Sequence, residues 1–344
     1  MNEVPFLEEA VPLFDTHKQR GQKTAKDVVI KINSFSFGDT LAATPTIRKL
    51  AECYAKKIIV CTSKPFLFDY NPNVLFTIHL NDFNNEHYDH YEVFDTFNSI
   101  GREDRSGIEK KYAAYDIRKI HCTEIGFDLR PEELHCDYYP GPIEFSKEDQ
   151  SFLSNNNYVV MHIGQNWPSR TWPRENYVNL INALNSSGFK VALVGFDQKS
   201  EPGQYNHDKT CYDFENLKFD GLSFLNRTSL DQDYYITKNS EACITMDTGQ
   251  LHLAGCTDTH IIYMGASVHP LWRAPYRNGS QSYKMTFVGG TCKSFCASDP
   301  KYSVVEHSTI NSVPPLPFCL EGRPNYDCQP SWKDVFDETL KILK

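Results

Sequence analysis

The chain has 344 residues, of which 40% are hydrophobic and 23% charged, and this composition is typical of a globular protein with two domains or one large domain. The net charge of −9 argues against a broad basic surface for nucleic acid or anionic lipid. No apolar run approaches the roughly 20 residues that span a bilayer. Residues 1–26 lack the apolar core of a signal peptide, so we expect a cytoplasmic protein that carries a short N-terminal extension.

The first half of the chain alternates between strand and helix patterns. Residues 28–33 form a buried strand pattern, and a turn is predicted over 34–39. A helix is predicted over 44–51, with Pro45 in its first turn, where the missing N–H is tolerated. The next strand is predicted at 57–61. Strand, helix and strand in this order form a βαβ unit, which predicts a parallel sheet.

A second alternating region follows residues 136–157, a stretch rich in Pro, Asp and Asn that we predict to be a linker. The elements predicted after it are strands at 158–164, 190–195, 242–246 and 260–265, with helices at 175–186 and 230–238. The sequence therefore predicts two α/β domains, which face each other across a cleft lined by the carboxyl ends of their strands. The predicted boundaries are 1–26 for the extension, 27–150 and 151–290 for the two domains, and 291–344 for a Cys-rich segment with a terminal helix.

The most informative motif lies where the strand at 242–246 meets Asp247-Thr248-Gly249 and a helical pattern begins. The first N–H groups of a helix are unpaired and its dipole is positive there, so a phosphate is a natural ligand. An ordinary helix cap explains the same residues, because Asp and Thr are good cap residues.

Three further side chains are candidates for the cleft. Asp39 lies in the Gly-containing turn directly after the first strand, where a carboxylate is placed to act as a general base, although turn statistics alone explain an Asp there. Arg170, between Trp167 and Trp172, is placed to bind a diphosphate or else to stack on an aromatic ring at the surface. Asp197 follows another strand and is a candidate for binding ribose hydroxyls.

Two more cations, Arg273 and Arg277, follow the strand predicted at 260–265. They are candidates for the cleft as well, but we expect surface positions for both.

Four of the 11 cysteines, Cys292, Cys296, Cys319 and Cys328, lie in one segment near the C-terminus. The segment is rich in Gly, Pro, Ser and Asn and has little apolar periodicity, so a metal crosslink would order it. Four thiolates predict a structural iron or zinc site, although four unrelated thiols are the alternative. Most of the cysteines lie singly in apolar or helical contexts, as Cys53, Cys61, Cys243 and Cys256 do, and predict reduced thiols rather than disulfides.

In this order the motifs resemble those of the family 9 glycosyltransferases, the ADP-heptose heptosyltransferases. The resemblance covers about residues 27–275 and is carried by Phe37-Gly38-Asp39-Thr40 with Pro45, by Arg170-Thr171-Trp172-Pro173, by residues 191–195, by Ser229-Leu230, and by Asp247-Thr248-Gly249 with His252, Leu253 and Ala254. The four C-terminal cysteines are similar to those of one branch, the bacterial autotransporter heptosyltransferases, which carry a cysteine-bound iron and modify protein serines.

The resemblance implies an inverting transferase of the GT-B fold, with two Rossmann-like domains. The nucleotide sugar, ADP-heptose, is expected on the C-terminal domain, and a protein or glycan acceptor on the N-terminal one. Asp39 then matches the family's proposed base, and Thr248 and Gly249 match its diphosphate ligands, which His252 supports. Arg170 stands where the family usually carries Lys, and Asp197 is the acid nearest the ribose position. No catalytic metal is expected, and the cysteine-bearing tail is a candidate surface for a homo-oligomer.

Two other classes of function fit the same motifs. One is another sugar-nucleotide enzyme of this fold, such as an epimerase, and the other is a module that binds nucleotide sugars or glycans without turnover. A Rossmann dehydrogenase is disfavoured, because G-x-G-x-x-G follows neither residues 28–33 nor 158–164.

Overall fold

The computed structural model describes residues 26–84, 90–96, 116–155, 157–164, 170–197, 214, 216–292, 295 and 328–344. Within these ranges, two separate sheets form, and every strand pair in both of them is parallel. The two predicted parallel α/β domains are confirmed. No helix of the described ranges combines the length and the apolar character needed to cross a bilayer.

The N-terminal sheet has the strand order β3-β2-β1-β4 in the described part of the chain. Its strands are β1 Val28–Ile32, β2 Ile58–Thr62, β3 Val74–His79 and β4 Glu92–Thr96, and its helices are α1 Phe37–Leu41, α2 Thr44–Tyr54 and α3 Ile117–Glu124. The central strands β1 and β2 are almost continuously apolar because both of their faces are covered. Helix α2 begins with Pro45 in its first turn, as predicted, and is followed by its C-cap residue Ala55, which adopts a left-handed φ of 50°.

The C-terminal sheet has the strand order β10-β9-β8-β5-β6-β7 over the same described ranges. Its strands are β5 Tyr158–Ile163, β6 Lys190–Gly195, β7 Gly221–Ser223, β8 Ala242–Met246, β9 His260–Met264 and β10 Met285–Val288. The helices are α4 Lys147–Asn155, α5 Arg174–Ser186, α6 Leu230–Lys238, α7 Gly249–Gly255, α8 Pro270–Arg273 and α9 Trp332–Leu343. Helix α9 completes this domain, because Val335 lies in the core that covers one face of the sheet.

Two local predictions differ from the structure. The predicted linker is helical over Lys147–Asn155, where Ser146 caps the helix by accepting a hydrogen bond from the N–H of Asp149 at 3.1 Å. The sequence pattern missed this helix because its exposed positions are polar and only a few apolar side chains, such as Leu153, reach the core. The predicted turn at 34–39 is shorter than expected, since α1 begins at Phe37 and places Asp39 in its first turn.

The two domains meet through α1 and α7, the helices that follow β1 and β8. Leu253 of α7 and Tyr234 of α6 pack into the apolar core of the N-terminal domain. Because each helix begins at the carboxyl end of its strand, the carboxyl ends of both sheets face the same cleft. This is the edge at which open parallel sheets bind ligands.

Candidate active site

Asp39 is held in the first turn of α1 by contacts on both sides. Its Oδ2 accepts a hydrogen bond from Ser34 Oγ at 3.2 Å, and its backbone oxygen accepts one from His121 Nε2 at 2.9 Å. His121 is buried, and its Nδ1 lies 3.1 Å from Thr96 Oγ1 at the end of β4. Since burial lowers the pKa of His121 to about 4, the ring is neutral near pH 7, and its two nitrogens connect β4 to α1.

The half-buried carboxylate of Asp39 responds to charges from the opposite domain. Burial raises its pKa above the ordinary value, while the guanidinium of Arg273 and the hydroxyl of Ser34 act in the opposite direction. Asp247 also raises the pKa of Asp39, and Arg170 lowers it. A carboxyl group from the N-terminal domain is therefore electrostatically coupled to three charged groups of the C-terminal domain.

Those three groups form the Asp247 cluster, which we define as Asp247, Arg170 and Arg273. The buried Asp247 carboxylate lies at the end of β8, with its Oδ2 2.6 Å from Arg170 Nη1 and its Oδ1 3.5 Å from Arg273 Nε. Burial alone would raise the pKa of Asp247, but Arg170 and Arg273 outweigh it and the pKa is lowered. One carboxylate thus fixes two guanidinium groups, and the cluster keeps a net positive charge suited to an anion.

Thr248 and Gly249 continue the chain from Asp247 into α7. Thr248 has extended backbone angles, and its hydroxyl lies 3.2 Å from Thr245 Oγ1 and 3.4 Å from His162 Nδ1. Burial lowers the pKa of His162 to about 4, so this ring too is neutral near pH 7. The Thr248 hydroxyl and the first turn of α7 therefore adjoin the Asp247 cluster.

His252 lies one turn further along α7 and is buried against α1. A Cβ on Gly38 would lie 2.6 Å from His252 Cδ2, so the ring packs directly on the helix that carries Asp39. Burial lowers the pKa of His252 to about 3. Its Nδ1 is a buried atom with no hydrogen-bond partner among the described residues.

Asp197 occupies a different part of the same sheet edge. It follows β6, which is separated from β8 by β5, so it lies on the order of 10 Å from Asp247. Its Oδ2 accepts a hydrogen bond from the N–H of Phe214 at 2.8 Å, and its buried Oδ1 has no partner within the described ranges. The structure therefore brings Asp39, Arg170 and Asp247 together and places Asp197 at the far side of the C-terminal half of the cleft.

The expectation that Arg273 and Arg277 lie at the surface is wrong. Arg273 is mostly buried and belongs to the Asp247 cluster. Arg277 is buried, and its guanidinium donates hydrogen bonds to the backbone oxygens of Thr257, Thr259, Tyr283 and Lys284. The sequence pattern did not predict the position of Arg273 in the cleft. Arg273 lies nine residues beyond the end of β9, and the short helix α8 that returns it to the cleft has no clear periodicity.

Only part of the cysteine prediction falls on described residues. Cys292 is buried and Cys328 is half-buried, whereas Cys296 and Cys319 lie outside the described residues. The N–H of Gly290 donates to the backbone oxygen of Cys328 at 3.0 Å, so the two ends of the Cys-rich segment are adjacent. In the part of the chain that the structure describes, no group of three or more His, Cys, Asp or Glu side chains is arranged to hold a metal.

Comparisons with known proteins agree with this architecture. Residues 121–287 match the model of glycosyltransferase family 9 (heptosyltransferase). The lipooligosaccharide heptosyltransferase 2 of Haemophilus influenzae is 24% identical over 108 residues, which are 31% of this chain and 30% of that protein. The alignment thus spans less than a third of the length of this curated relative.

Solved structures are similar over most of the chain. A glycosyl transferase family 9 protein from Veillonella parvula has a TM-score of 0.61 at 14% identity, and the match covers 94% of this chain and 99% of that one. TibC, an iron-containing dodecameric glycosyltransferase from enterotoxigenic Escherichia coli, has a TM-score of 0.65 at 13% identity, covering 92% and 77%. A second structure of TibC is a complex with ADP-D-beta-D-heptose, with a TM-score of 0.64, 13% identity and coverage of 92% and 76%. These likenesses establish the GT-B type of fold.

Proposed function

We propose that this chain, which belongs to glycosyltransferase family 9, is an inverting transferase that moves heptose from an ADP-linked donor to a hydroxyl acceptor. The observation that carries the proposal is the electrostatic coupling, across one cleft, of the Asp39 carboxylate to the guanidinium groups of Arg170 and Arg273, which Asp247 holds in place. The ADP-heptose complex of TibC and the heptosyltransferase from Haemophilus influenzae support the choice of donor.

In this proposal, the donor diphosphate binds at the Asp247 cluster. Arg170 and Arg273 carry two positive charges and Asp247 one negative charge, so one net positive charge is available to the anion. The hydroxyl of Thr248 and the first amides of α7, from Gly249 onwards, supply hydrogen bonds beside it. The groups that bind the donor here are fixed and largely buried, so they need little reorganisation as charge develops on the leaving diphosphate.

The nucleoside extends from this site along the edge of the C-terminal sheet towards Asp197. The Oδ1 of Asp197, which has no partner among the described residues, is an acceptor for a ribose hydroxyl, and the distance of two strands suits the span from diphosphate to ribose. His252 supports the diphosphate site by packing, because its ring fills the space between α7 and the turn of α1 that carries Asp39.

Asp39 acts as the general base in the proposed mechanism. It takes the proton of an acceptor hydroxyl, whose oxygen attacks the anomeric carbon from the face opposite the diphosphate and inverts its configuration. Burial raises the pKa of Asp39 and makes it a stronger base, while the positive charge of Arg273 acts in the opposite direction and favours the carboxylate. The two guanidinium groups stabilise the leaving diphosphate, so we expect no catalytic metal.

For the Cys-rich segment we propose a structural iron or zinc ion, held by the thiolates of Cys292, Cys296, Cys319 and Cys328. The backbone hydrogen bond between Gly290 and Cys328 supports this site, because it already brings the two ends of the segment together. TibC is iron-containing and dodecameric, which supports iron and a homo-oligomer here. The acceptor is a hydroxyl group of a protein or a glycan.

The test compares wild type with Asp39→Asn on ADP-heptose, measuring donor affinity by calorimetry and ADP release with serine peptides and a lipooligosaccharide core as acceptors. We expect unchanged donor affinity and a rate lower by ~10²–10⁴. Asp27→Asn is the matched control, since it removes an exposed carboxylate at the opposite end of β1.

Each alternative gives a different result in this experiment. Full activity of Asp39→Asn excludes Asp39 as the base. Binding of ADP-heptose by wild type without ADP release or acceptor modification indicates a binding module. A changed sugar that remains attached to ADP indicates an epimerase.

A further inference from the structure

The short helix α8 ends against a side chain of the opposite domain. Arg118, in α3 of the N-terminal domain, is fully buried. Its Nη2 donates to the backbone oxygen of Ala274 at 2.7 Å, and its Nη1 donates to that of Arg273 at 3.4 Å. These carbonyl groups belong to the last turn of α8, where backbone oxygens have no partner within the helix. A cation from one domain therefore caps the negative end of a helix from the other.

Two more side chains complete this contact. The carboxylate of Asp116 holds the Arg118 guanidinium through both of its oxygens, with 2.7 Å between Arg118 Nε and Oδ1. From the C-terminal domain, Gln281 Nε2 donates to Asp116 Oδ2 at 3.1 Å and to the backbone oxygens of Leu271 and Ala274 at 2.8 Å. We define Arg118, Asp116 and Gln281 as the interdomain clamp. Arg118 and Gln281 both donate to the Ala274 carbonyl at the end of α8, and Asp116 joins these two side chains.

The clamp matters because α8 cannot fix its own orientation. A helix of four residues, Pro270–Arg273, makes very few internal hydrogen bonds, so its direction depends on external caps. The side chain of Arg273 leaves the same turn and reaches Asp247. A shift of this turn therefore moves the Arg273 guanidinium relative to both Asp247 and Asp39.

We propose that Arg118 is a positioning residue, which makes the placement of Arg273 depend on closure of the two domains. This role rests on the function proposed above: the interdomain clamp completes the active site only when the two domains are closed. When the domains separate, Arg118 leaves the carbonyl groups of Arg273 and Ala274, and α8 loses the cap on its last turn. Arg273 then no longer holds its position beside Asp39. The buried Arg118 also loses part of its hydrogen bonding, which opposes opening.

The charged and polar groups that face Asp39 make this dependence measurable. They are Ser34 on the N-terminal side and Arg273, Arg170 and Asp247 across the cleft. Arg273 is the strongest of the charges, and it lowers the pKa of Asp39. If Arg273 is displaced, the pKa of Asp39 rises and the acid limb of the pH–rate profile moves to higher pH.

The experiment compares Arg118→Gln with Arg48→Gln. Arg48 is a matched control, because it is a largely buried Arg of the same domain that pairs with Asp137 and donates to the backbone oxygens of Glu133 and His135, none of which belongs to α8. For Arg118→Gln we expect kcat to fall by about 10–100-fold, as for a misplaced catalytic group, and the KM for ADP-heptose to rise, because Arg273 also holds the donor diphosphate. The acid limb moves to higher pH, and small-angle scattering shows a larger radius of gyration. Arg48→Gln leaves the acid limb in place.

Gln281→Met tests the same clamp from the C-terminal domain without disturbing the buried cation, and it serves if Arg118→Gln fails to fold. We expect a smaller loss of kcat and an acid limb displaced in the same direction. An acid limb that stays at the wild-type position in the variants that fold overturns the inference.

If wild type itself transfers no heptose, the proposed function fails and scattering alone tests the clamp. An unchanged radius of gyration in the folded variants then overturns it.

Discussion

The ring of Phe37 in the N-terminal domain packs against the Cα of Gly249 in the C-terminal domain, where a Cβ would overlap the ring. A second contact of the same kind joins Gly38 to His252. Two glycines, one in each domain, therefore allow α1 and α7 to approach closely. Because Asp39 and Asp247 lie beside these glycines in the chain, this close approach sets the separation between the carboxylate of Asp39 and the Asp247 cluster.

We therefore expect Gly249→Ala to lower kcat by about 10–100-fold, because the added methyl group forces α1 and α7 apart and misplaces Asp39. Steady-state kinetics with ADP-heptose measure the effect. The double variant Phe37→Ala/Gly249→Ala should regain part of the activity, since removal of the ring makes room for the methyl group, and Phe37→Ala alone is the control. Wild-type kcat in Gly249→Ala would contradict the steric argument.

Replacement of Arg273 by Met should change the pH dependence of transfer. The reaction needs ionised Asp39, so activity falls as pH drops through the pKa of that carboxyl group. Arg273 lowers this pKa, and its loss raises it, so the acid limb of the kcat profile should move to higher pH. Arg273→Lys retains a charge and should keep the limb closer to wild type. Identical acid limbs in wild type and Arg273→Met would show that Arg273 does not act on the base.

The buried histidines predict a loss of stability in mild acid. Burial lowers the pKa of His121 to about 4 and that of His252 to about 3, whereas both titrate near 6.5 in an unfolded chain. Their contribution is complete above pH 6.5. As pH falls below 6.5, the unfolded chain binds protons that the folded protein does not, so the free energy of unfolding falls by about 1.4 kcal/mol per pH unit for each histidine.

Urea unfolding at pH 7.5, 6 and 5 measures this dependence. The variant His121→Gln should show a flatter dependence on pH than wild type, because one of the buried histidines no longer titrates. Equal slopes for the two proteins would mean that His121 is not a neutral histidine in the folded state.

The proposed metal site predicts iron or zinc at about one ion per chain in purified protein, measured by elemental analysis. Cys328→Ser should lose most of the metal and lower the melting temperature, because the thiolates crosslink a segment with few apolar residues. Cys53→Ser is the matched control, since Cys53 is also half-buried and lies in α2. Equal metal content in both variants would remove Cys328 from the ligand set.

The sequence by itself determined the parts of this protein that depend on local patterns. Apolar runs such as Val28–Ile32 and Ala242–Met246 are buried on both faces of a sheet, so their strands and the parallel α/β class could be predicted from composition and periodicity. Asp39 and Asp247 are candidate site residues on similar evidence, because Asp247 directly follows a strand and Asp39 lies in the turn predicted after one, at the edge where such sheets bind ligands.

Only the tertiary structure decided which side chains act together. Arg273 lies beside Asp247 in a helix of four residues without a periodic pattern, and its backbone oxygen accepts a hydrogen bond from Arg118, 155 positions earlier in the chain. Asp247 holds two cations, a role that a single carboxylate in a motif does not reveal. Periodicity reports which face of one element is buried. Ion pairs and caps between domains depend on how two separately folded sheets meet, and no local pattern encodes that distance.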